Sequence, residues 1–386
     1  MGNLSAPRLR RMHDALAPLV ERGELPGFVT LVERRGEVHV DCVGYSRDTI
    51  FRIASMSKPI VAAAACILIE EGRLHLDDSV EQLLPELAAL RVLRSVDSEV
   101  DDTVPKIRPI TLRHLLAFTL GAGMIFAEKG TYPIQKAMEG SDLSNRRKLT
   151  PDQYMRALAE LPLVHQPGEA WLYNTGSEVL GILIGRATRM SLGDFMRERL
   201  FQPLGMKDSG FWVPAAKIDR LPTAYAKPGG PETEDKGKGG SFSRPPALES
   251  GGGGLVATVD DFHVFARMLL NGGVMGAERI LSRPTIEAMT SDQLTPSQKA
   301  NSPWNAGAWD NESWGWGVGV VTRRSETNTT PGAYGWRGGY GTAWRSDPSE
   351  DMVAILMTQV VGMTAGPDSL PVPRDFFSLA YAAIDD

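Results

Sequence analysis

Residues 54–69 read ASMSKPIVAAAACILI, which joins a serine and a lysine to the longest apolar stretch of the chain. A short extended run, Ile50 to Ile53, precedes this stretch. Pro59 in a first helical turn and the apolar residues after it mark the start of a helix, which ends near Glu70. The sequence therefore predicts a buried helix with Ser55 at a strand-to-helix junction.

Ser55 and Lys58 have the spacing of a serine nucleophile and its base. Serine is a poor nucleophile at neutral pH, and a lysine one helical turn later activates it when burial favours the neutral amine. The helix N-terminus also presents N–H groups to a developing oxyanion. The alternative is a helix cap with Lys58 solvated. The apolar run favours the catalytic interpretation, because a lysine at the head of a buried helix must face a cleft or a partner.

A second stretch, residues 166–176, reads QPGEAWLYNTG and places Tyr173 in a turn before another helix. Loop residues at such positions commonly serve a site. A phenol beside a cationic lysine is expected to ionise more easily and to act as a base. Considered alone, Tyr173 would be interpreted as a packing residue.

Strand patterns occur near both ends of the chain. This distribution predicts one sheet built from both termini. The predicted core domain comprises residues 1–79 and 255–386. Residues 80–254 are predicted to form an inserted, mostly helical lobe, and within it residues 228–254 form a Gly-rich surface loop. The predicted strands are Phe28 to Val32, Val38 to Gly44, Trp316 to Thr322, Gly341 to Ser346 and Met352 to Gln359, with helices at the N-terminus and over Arg374 to Ile384.

Composition narrows the class of protein. The 386 residues carry a net charge of −6 with both signs mixed, which makes nucleic acid an unsuitable partner. We expect no membrane span, because no apolar run is long enough. The N-terminus lacks a secretory pattern, and Cys42 and Cys66 are interpreted as reduced core thiols, so a cytoplasmic location is expected. The scattered histidines predict neither a metal site nor a cofactor.

The motifs together resemble the serine β-lactamase and penicillin-binding-protein superfamily, in its branch of class C β-lactamases and family VIII carboxylesterases. The resemblance covers almost the whole chain. It implies an α/β (α+β) fold of the β-lactamase-like type, with an antiparallel sheet flanked by helices. Besides the Ser55 and Tyr173 stretches, it rests on Ile110 to Leu116, Pro203 to Met206, Gly251 to Thr258 and Tyr334 to Thr342.

The resemblance also implies a third element on a core strand, which matches Trp336-Arg337-Gly338. By this match the oxyanion hole is formed by the backbone N–H groups of Ser55 and Gly339, where a Gly-Gly pair lets the backbone approach the substrate. A glycine-rich hairpin is the alternative interpretation.

Three departures from the family pattern bear on the substrate. Asn174 directly follows Tyr173, so the amide that grips a β-lactam is shifted. Trp336 replaces the family's lysine, and Arg337 is the residue that would partly substitute for it. The usual Thr-Ser-Gly is Thr119-Leu120-Gly121. These changes predict a neutral or weakly polar ester, with Trp336 lining the site.

The predicted function is a serine carboxylesterase that hydrolyses short- to medium-chain esters through a Ser55 acyl-enzyme. Lys58 and Tyr173 handle its protons, and the expected partner is a small-molecule ester. A β-lactamase or D,D-peptidase, an acyltransferase and a non-catalytic binding or assembly relative remain alternatives, and the oligomeric state stays open. The expected substrate-binding residues are Asn174, Trp336, Arg337 and Gly338.

Overall fold

The structure is a computed structural model that describes residues 4–302, 307–325, 327–363 and 370–386. The helices are α1 Ala6–Glu21, α2 Ser57–Glu70, α3 Leu112–Leu116, α4 Pro133–Gly140, α5 Pro151–Ala159, α6 Thr175–Thr188, α7 Leu192–Met196, α8 Gln202–Leu204, α9 Val259–Leu270, α10 Arg283–Met289, α11 Pro296–Ala300 and α12 Val372–Ala382. The strands are β1 Phe28–Arg34, β2 Glu37–Val43, β3 Phe51–Arg52, β4 Arg91–Leu93, β5 Thr103–Pro105, β6 Ala224–Tyr225, β7 Thr233–Asp235, β8 Val256–Ala257, β9 Val274–Met275, β10 Glu278–Arg279, β11 Glu312–Trp314, β12 Gly319–Val321, β13 Tyr334–Arg337, β14 Ala343–Asp347 and β15 Met352–Met357.

Seven antiparallel strands form the central sheet in the order β11-β12-β13-β14-β15-β1-β2. The N-terminal β1 pairs with the C-terminal β15, with Val29 opposite Met357 and Arg34 opposite Met352. This pairing joins the two ends of the chain. The prediction of one antiparallel sheet built from both termini is therefore confirmed.

Helices cover both faces of this sheet. Successive side chains of a strand point to opposite faces, so neighbouring residues of β1 contact different helices. Phe28 and Val32 of β1 belong to the apolar cluster with α1 and α12. Val29 and Leu31 belong to the cluster with α2 and α9. All seven residues of β1 are buried as a result.

Helix α2 lies in the interior of the molecule. Its residues from Ser57 to Leu68 are all buried, as the apolar run predicted. The cluster that surrounds α2 continues through α3, α5 and α6, so the helical lobe shares its core with the sheet. The division into a core domain and an inserted lobe stays a prediction.

Two details differ from the sequence-based expectations. Cys42 is exposed on β2 and is not a core thiol, whereas Cys66 is buried in α2. Residues 228–254 are not simply a surface loop, because they include β7 and the buried side chains of Phe242 and Leu248. Gly, Lys and Glu in this segment suggested full solvation, but an internal cation holds it against the core.

That cation is Arg52 of β3, whose side chain has no exposed surface. Its Nε donates to Asp235 Oδ2 at 2.8 Å, and its two Nη atoms donate to the carbonyl oxygens of Pro222 and Lys236 at 2.7 and 2.8 Å. The guanidinium also lies 5.3 Å from the centroid of the Phe242 ring. A single buried side chain therefore attaches the 222–242 segment to the strand that leads to Ser55.

Asp235→Ala is expected to lower the free energy of unfolding by about 3–5 kcal/mol, because it leaves the Arg52 guanidinium buried without its counter-charge. The matched control is Asp260→Ala, which breaks an ion pair with Arg47 whose two side chains are 46% and 56% exposed. That exposed pair contributes at most about 1 kcal/mol. Urea unfolding of the three proteins measures both changes, and equal losses would contradict a structural role for the buried pair.

Candidate active site

Ser55 lies in a 3-10 turn, Ala54–Met56, between β3 and α2. Ala54 has a φ of +44°, which is unusual for a residue with a side chain and marks a strained turn. The nearby Ser57 accepts a hydrogen bond from the Leu255 N–H at 3.1 Å and is fully buried. Of the two serines, only Ser55 contacts Lys58 through its hydroxyl. The sequence prediction of a strand-to-helix junction is matched by this placement.

Lys58 is completely buried in the first turn of α2. Its Nζ donates to Ser55 Oγ at 2.9 Å, to Asn174 Oδ1 at 2.9 Å and to the Gly252 carbonyl oxygen at 2.5 Å. It also lies 4.4 Å from the centroid of the Tyr173 ring. A lysine ammonium has three N–H donors, which matches these three acceptors. The hydrogen bonds to Asn174 and Gly252 hold Nζ beside the Ser55 hydroxyl.

Tyr173 closes the site from the turn before α6. Its backbone carbonyl accepts from the Met124 N–H at 2.9 Å, and its Oη accepts from Trp336 Nε1 at 2.6 Å. Burial raises the pKa of Tyr173 to about 12, against hydrogen bonds with Ser55 and Trp336 that lower it. The phenol is therefore neutral in the free protein at pH 7.

The net shift of the phenol pKa is therefore upward, against the expectation that Tyr173 ionises more easily. The ammonium lies over the face of the Tyr173 ring. Removal of the phenol from water has a larger effect on its pKa than the neighbouring groups have. The aromatic rings of Phe118, Trp171, Trp314 and Trp336 contribute to this burial.

The turn between β13 and β14 brings glycines to the nucleophile. A Cβ on Gly338 would lie 2.4 Å from the Ile53 carbonyl oxygen and 2.1 Å from Thr342 Oγ1, so only glycine fits there. The next residue, Gly339, has open space on its Cβ side. Within the described ranges its N–H has no acceptor. The predicted oxyanion hole of Ser55 and Gly339 N–H groups stays a prediction that this packing supports.

The predicted substrate-binding residues separate into two groups. Trp336 donates to Tyr173, and Asn174 accepts a hydrogen bond from Lys58 through its Oδ1, while a role of Asn174 in substrate binding stays a prediction. Arg337 follows Trp336 on β13 and points to the other face of the sheet, where it lies 3.5 Å from Glu312. The suggestion that Arg337 replaces the family's lysine is not supported by this position.

Sequence reasoning missed two groups beside Lys58. Gly252 supplies a carbonyl acceptor, and Glu178 is a buried carboxylate in the first turn of α6. Glu178 Oε1 accepts from Ser250 Oγ at 2.7 Å, and a Cβ on Gly252 would lie 2.6 Å from the same oxygen. The signal in the sequence was a glutamate inside an apolar helix, which needs buried partners.

A small apolar cavity of about 80 Å³ borders Asn174 and Thr175. Its other walls come from the helical lobe, including Met124, Ile134 and Leu158. In the described parts of the chain, no cluster of His, Cys, Asp and Glu has the makeup of a metal site. Among the same residues, no helix combines the length and apolarity needed to span a membrane.

The fold, with a serine and a lysine at the head of its central helix, defines the class as serine hydrolases and acyltransferases. A family model described as Beta-lactamase matches residues 12–371, and the chain belongs to this family. The predicted β-lactamase-like fold is thereby confirmed.

The chain is similar over most of its length to several proteins, of which two are described as an esterase or a hydrolase. Protein Rv1367c of Mycobacterium tuberculosis is 35% identical over 360 residues, which are 89% of this chain and 88% of that protein. Esterase EstB of Burkholderia gladioli is 29% identical over 392 residues, with 92% of each chain covered. The solved structure of EstCE1, described as a hydrolase with promiscuous acyltransferase activity, has a TM-score of 0.78 and 26% identity, covering 97% of this chain and 99% of that one.

Proposed function

We propose that this protein is a serine carboxylesterase that hydrolyses short- to medium-chain esters through an acyl-enzyme on Ser55. The observation that carries the proposal is the 2.9 Å contact between Nζ of the fully buried Lys58 and Oγ of the half-buried Ser55. Burial of a lysine side chain lowers the stability of a fold unless its amine has hydrogen-bond partners. Here Lys58 has three acceptors, and one of them is the Ser55 hydroxyl. Such an arrangement is suited to nucleophile activation.

The reactive form of the Lys58 and Tyr173 pair holds one proton fewer than an ammonium and a phenol together, so it can accept one. In the first step Ser55 Oγ attacks the ester carbonyl, and its proton passes to this pair. The tetrahedral oxyanion is stabilised by the N–H groups of Ser55 and Gly339. Expulsion of the alcohol takes one proton back from the pair and leaves the acyl group on Oγ. Water then repeats the sequence and releases the carboxylic acid.

Tyr173 is the proton donor of this pair in the free protein. A phenol with a pKa of about 12 is neutral at pH 7, and its hydrogen bond with Ser55 places it at the reacting oxygen. The Trp336 indole donates to the same phenol oxygen at 2.6 Å and so supports negative charge there if the proton leaves. Trp336 therefore positions the phenol.

The preference for esters over β-lactams rests on what β13 presents to the site. Trp336 occupies the position of the lysine in β-lactamases of this family, and Arg337 lies near Glu312 on the other face of the sheet. A β-lactam carboxylate thus finds no cation on this strand. The apolar cavity beside Asn174 has room for a short acyl chain.

Acyl transfer to an alcohol is the second candidate. It uses the same acyl-enzyme and differs in the acceptor of the second step. The similarity to EstCE1, whose description names acyltransferase activity, favours this candidate. Addition of an alcohol to the assay and detection of the new ester separate the two activities.

The test of the proposal compares p-nitrophenyl butyrate with a chromogenic cephalosporin. We expect kcat/KM for the butyrate to exceed that for the cephalosporin by about 100-fold or more, since two or three lost polar contacts to the carboxylate cost this much. A fluorophosphonate label should appear on Ser55 by mass spectrometry. Comparable cephalosporin turnover would make β-lactam hydrolysis the better assignment, and a folded protein that takes up no label would indicate a non-catalytic relative.

A further inference from the structure

A second cavity, of about 540 Å³, lies on the side of Ser55 formed by residues 241–254. We call it the side pocket. Its apolar surface includes Phe211, Phe242 and Leu248, and its charged residues are Arg147, Lys148 and Arg244. An apolar interior with several cations is typical of a site for an amphiphilic anion.

The side pocket reaches the nucleophile turn. Gly253 and Gly254 form part of its wall, and a Cβ on Gly253 would lie 3.6 Å from the carbonyl carbon of Ala54. Tyr340, the residue after Gly339, packs against Ala54, and its Oη accepts from Arg147 Nη2 at 3.2 Å. One tyrosine thus separates the Arg147 guanidinium from the turn that carries Ser55.

Arg147 is oriented by its neighbours but not neutralised by them. Its Nη1 donates to Ser241 Oγ at 3.3 Å, and the guanidinium lies 5.5 Å from the centroid of the Phe242 ring. The centroid of the same ring lies 5.3 Å from the Arg52 guanidinium. The ring is therefore held by two guanidiniums, which fixes one surface of the side pocket.

The cations of the side pocket lack carboxylate partners. Within the part of the chain that the structure describes, Arg147, Lys148 and Arg244 form no ion pair with Asp or Glu. The carboxylates that act on Arg147 electrostatically include Asp235 and Glu234, and Asp235 is already paired with Arg52. This positive group occurs in a protein whose net charge is −6.

We propose that the side pocket binds a free carboxylate on the ester substrate, so that the preferred substrates are carboxylate-bearing esters with an apolar spacer. The inference rests on the proposed esterase function and narrows its substrate class. Arg147 is the main specificity-determining residue, because charge-assisted hydrogen bonds from a guanidinium select carboxylates. The sequence-based expectation of a neutral ester considered only β13, whereas these cations come from the helical lobe and the 228–254 segment.

The experiment uses two matched pairs of esters. The p-nitrophenyl monoester of glutaric acid and its methyl-capped counterpart differ in charge on the acyl side. The second pair consists of two butyrate esters, one of para-hydroxybenzoic acid and one of methyl para-hydroxybenzoate. They differ in charge on the alcohol side. In one of the pairs we expect kcat/KM to be about tenfold higher for the anionic member than for the neutral one. This ratio is the effect expected from one charge-assisted hydrogen bond at a partly open site.

Arg147→Gln should remove most of this preference while leaving kcat/KM for the neutral member within about twofold. Arg147→Lys should retain part of the preference for the anionic ester, and Arg244→Gln should weaken that preference. The control, Arg11→Gln, changes the net charge equally from an exposed position on α1 far from this pocket in the fold. It should leave the preference unchanged.

The proposal is overturned if wild type shows no preference in either pair, or if the preference survives both Arg147→Gln and Arg244→Gln. Ser55-dependent cleavage of the neutral esters would leave the esterase proposal standing in that case. If turnover is too slow to measure, calorimetric binding of the glutarate monoester and its capped form to Ser55→Ala protein decides, and equal affinities overturn the side-pocket assignment.

Discussion

Ser55→Ala is expected to lower kcat/KM for p-nitrophenyl butyrate by about 10⁴-fold or more, to the background of the assay. Ser55 Oγ is the hydroxyl that accepts from Lys58 Nζ, so alanine removes the nucleophile itself. The lysine keeps its contacts with Asn174 and Gly252, and the fold should survive. Steady-state kinetics and the urea midpoint together measure this, and substantial remaining turnover would rule out the acyl-enzyme.

The control for Ser55→Ala is Ser57→Ala, two residues further along the same turn. Ser57 Oγ accepts from the buried Leu255 N–H at 3.1 Å and has no role in the proposed chemistry. Alanine there should cost about 1–3 kcal/mol of unfolding free energy, because a buried donor loses its acceptor. Activity should stay within about twofold of wild type. The two variants thus separate catalysis from stability within one tetrapeptide.

Lys58→Met and Lys58→Arg are both expected to lower kcat by about 10³-fold or more, since either change removes the group that exchanges a proton with Ser55. Methionine matches the length of the lysine side chain without its amine. Arginine keeps the positive charge but cannot give up its proton. Single-turnover kinetics with p-nitrophenyl butyrate show whether acylation is the step that fails.

Lys58→Arg is the decisive member of this pair. Near-normal activity in it would mean that position 58 needs only a fixed positive charge, and Tyr173 would then have to handle the proton alone. Tyr173→Phe provides the comparison, because it removes the phenol while keeping the ring that contacts Phe118 and Trp171. Circular dichroism of each variant confirms that lost activity is not lost structure.

The interior of the site is arranged so that one buried cation meets neutral acceptors. Lys58 contacts a hydroxyl, an amide oxygen and a carbonyl oxygen, and the carboxylate of Glu178 lies one layer behind, beside Gly252 and Asn174. The hydrogen bonds to Asn174 and Gly252 hold Lys58 Nζ within reach of the Ser55 hydroxyl.

Much of the fold was predictable because its signals are local. The apolar run after Lys58 identified a buried helix, and runs of strand-forming residues near both ends of the chain identified strands of one sheet. The strand β11 was missed, since its three residues, Glu312–Trp314, are too short to show a period. The resemblance to a known family implied the antiparallel arrangement of the sheet and the flanking helices.

The electrostatics of the site were less predictable. Tyr173 was expected to ionise easily, yet burial raises its pKa to about 12. The rings that exclude water come from positions as distant in sequence as Phe118 and Trp336. Arg337 is a different case, because the two-residue period of a strand already places it on the face of the sheet opposite Trp336.

The sequence by itself determined the buried helix that follows Ser55 and carries Lys58, the three-residue spacing of these two side chains, and the sheet built from both ends of the chain. Tertiary structure alone decided which acceptors surround Lys58, how far burial shifts the Tyr173 phenol, and where the cations of the side pocket gather. The reason is physical. Helix periodicity acts over a few residues, whereas desolvation and charge depend on groups that only folding brings together.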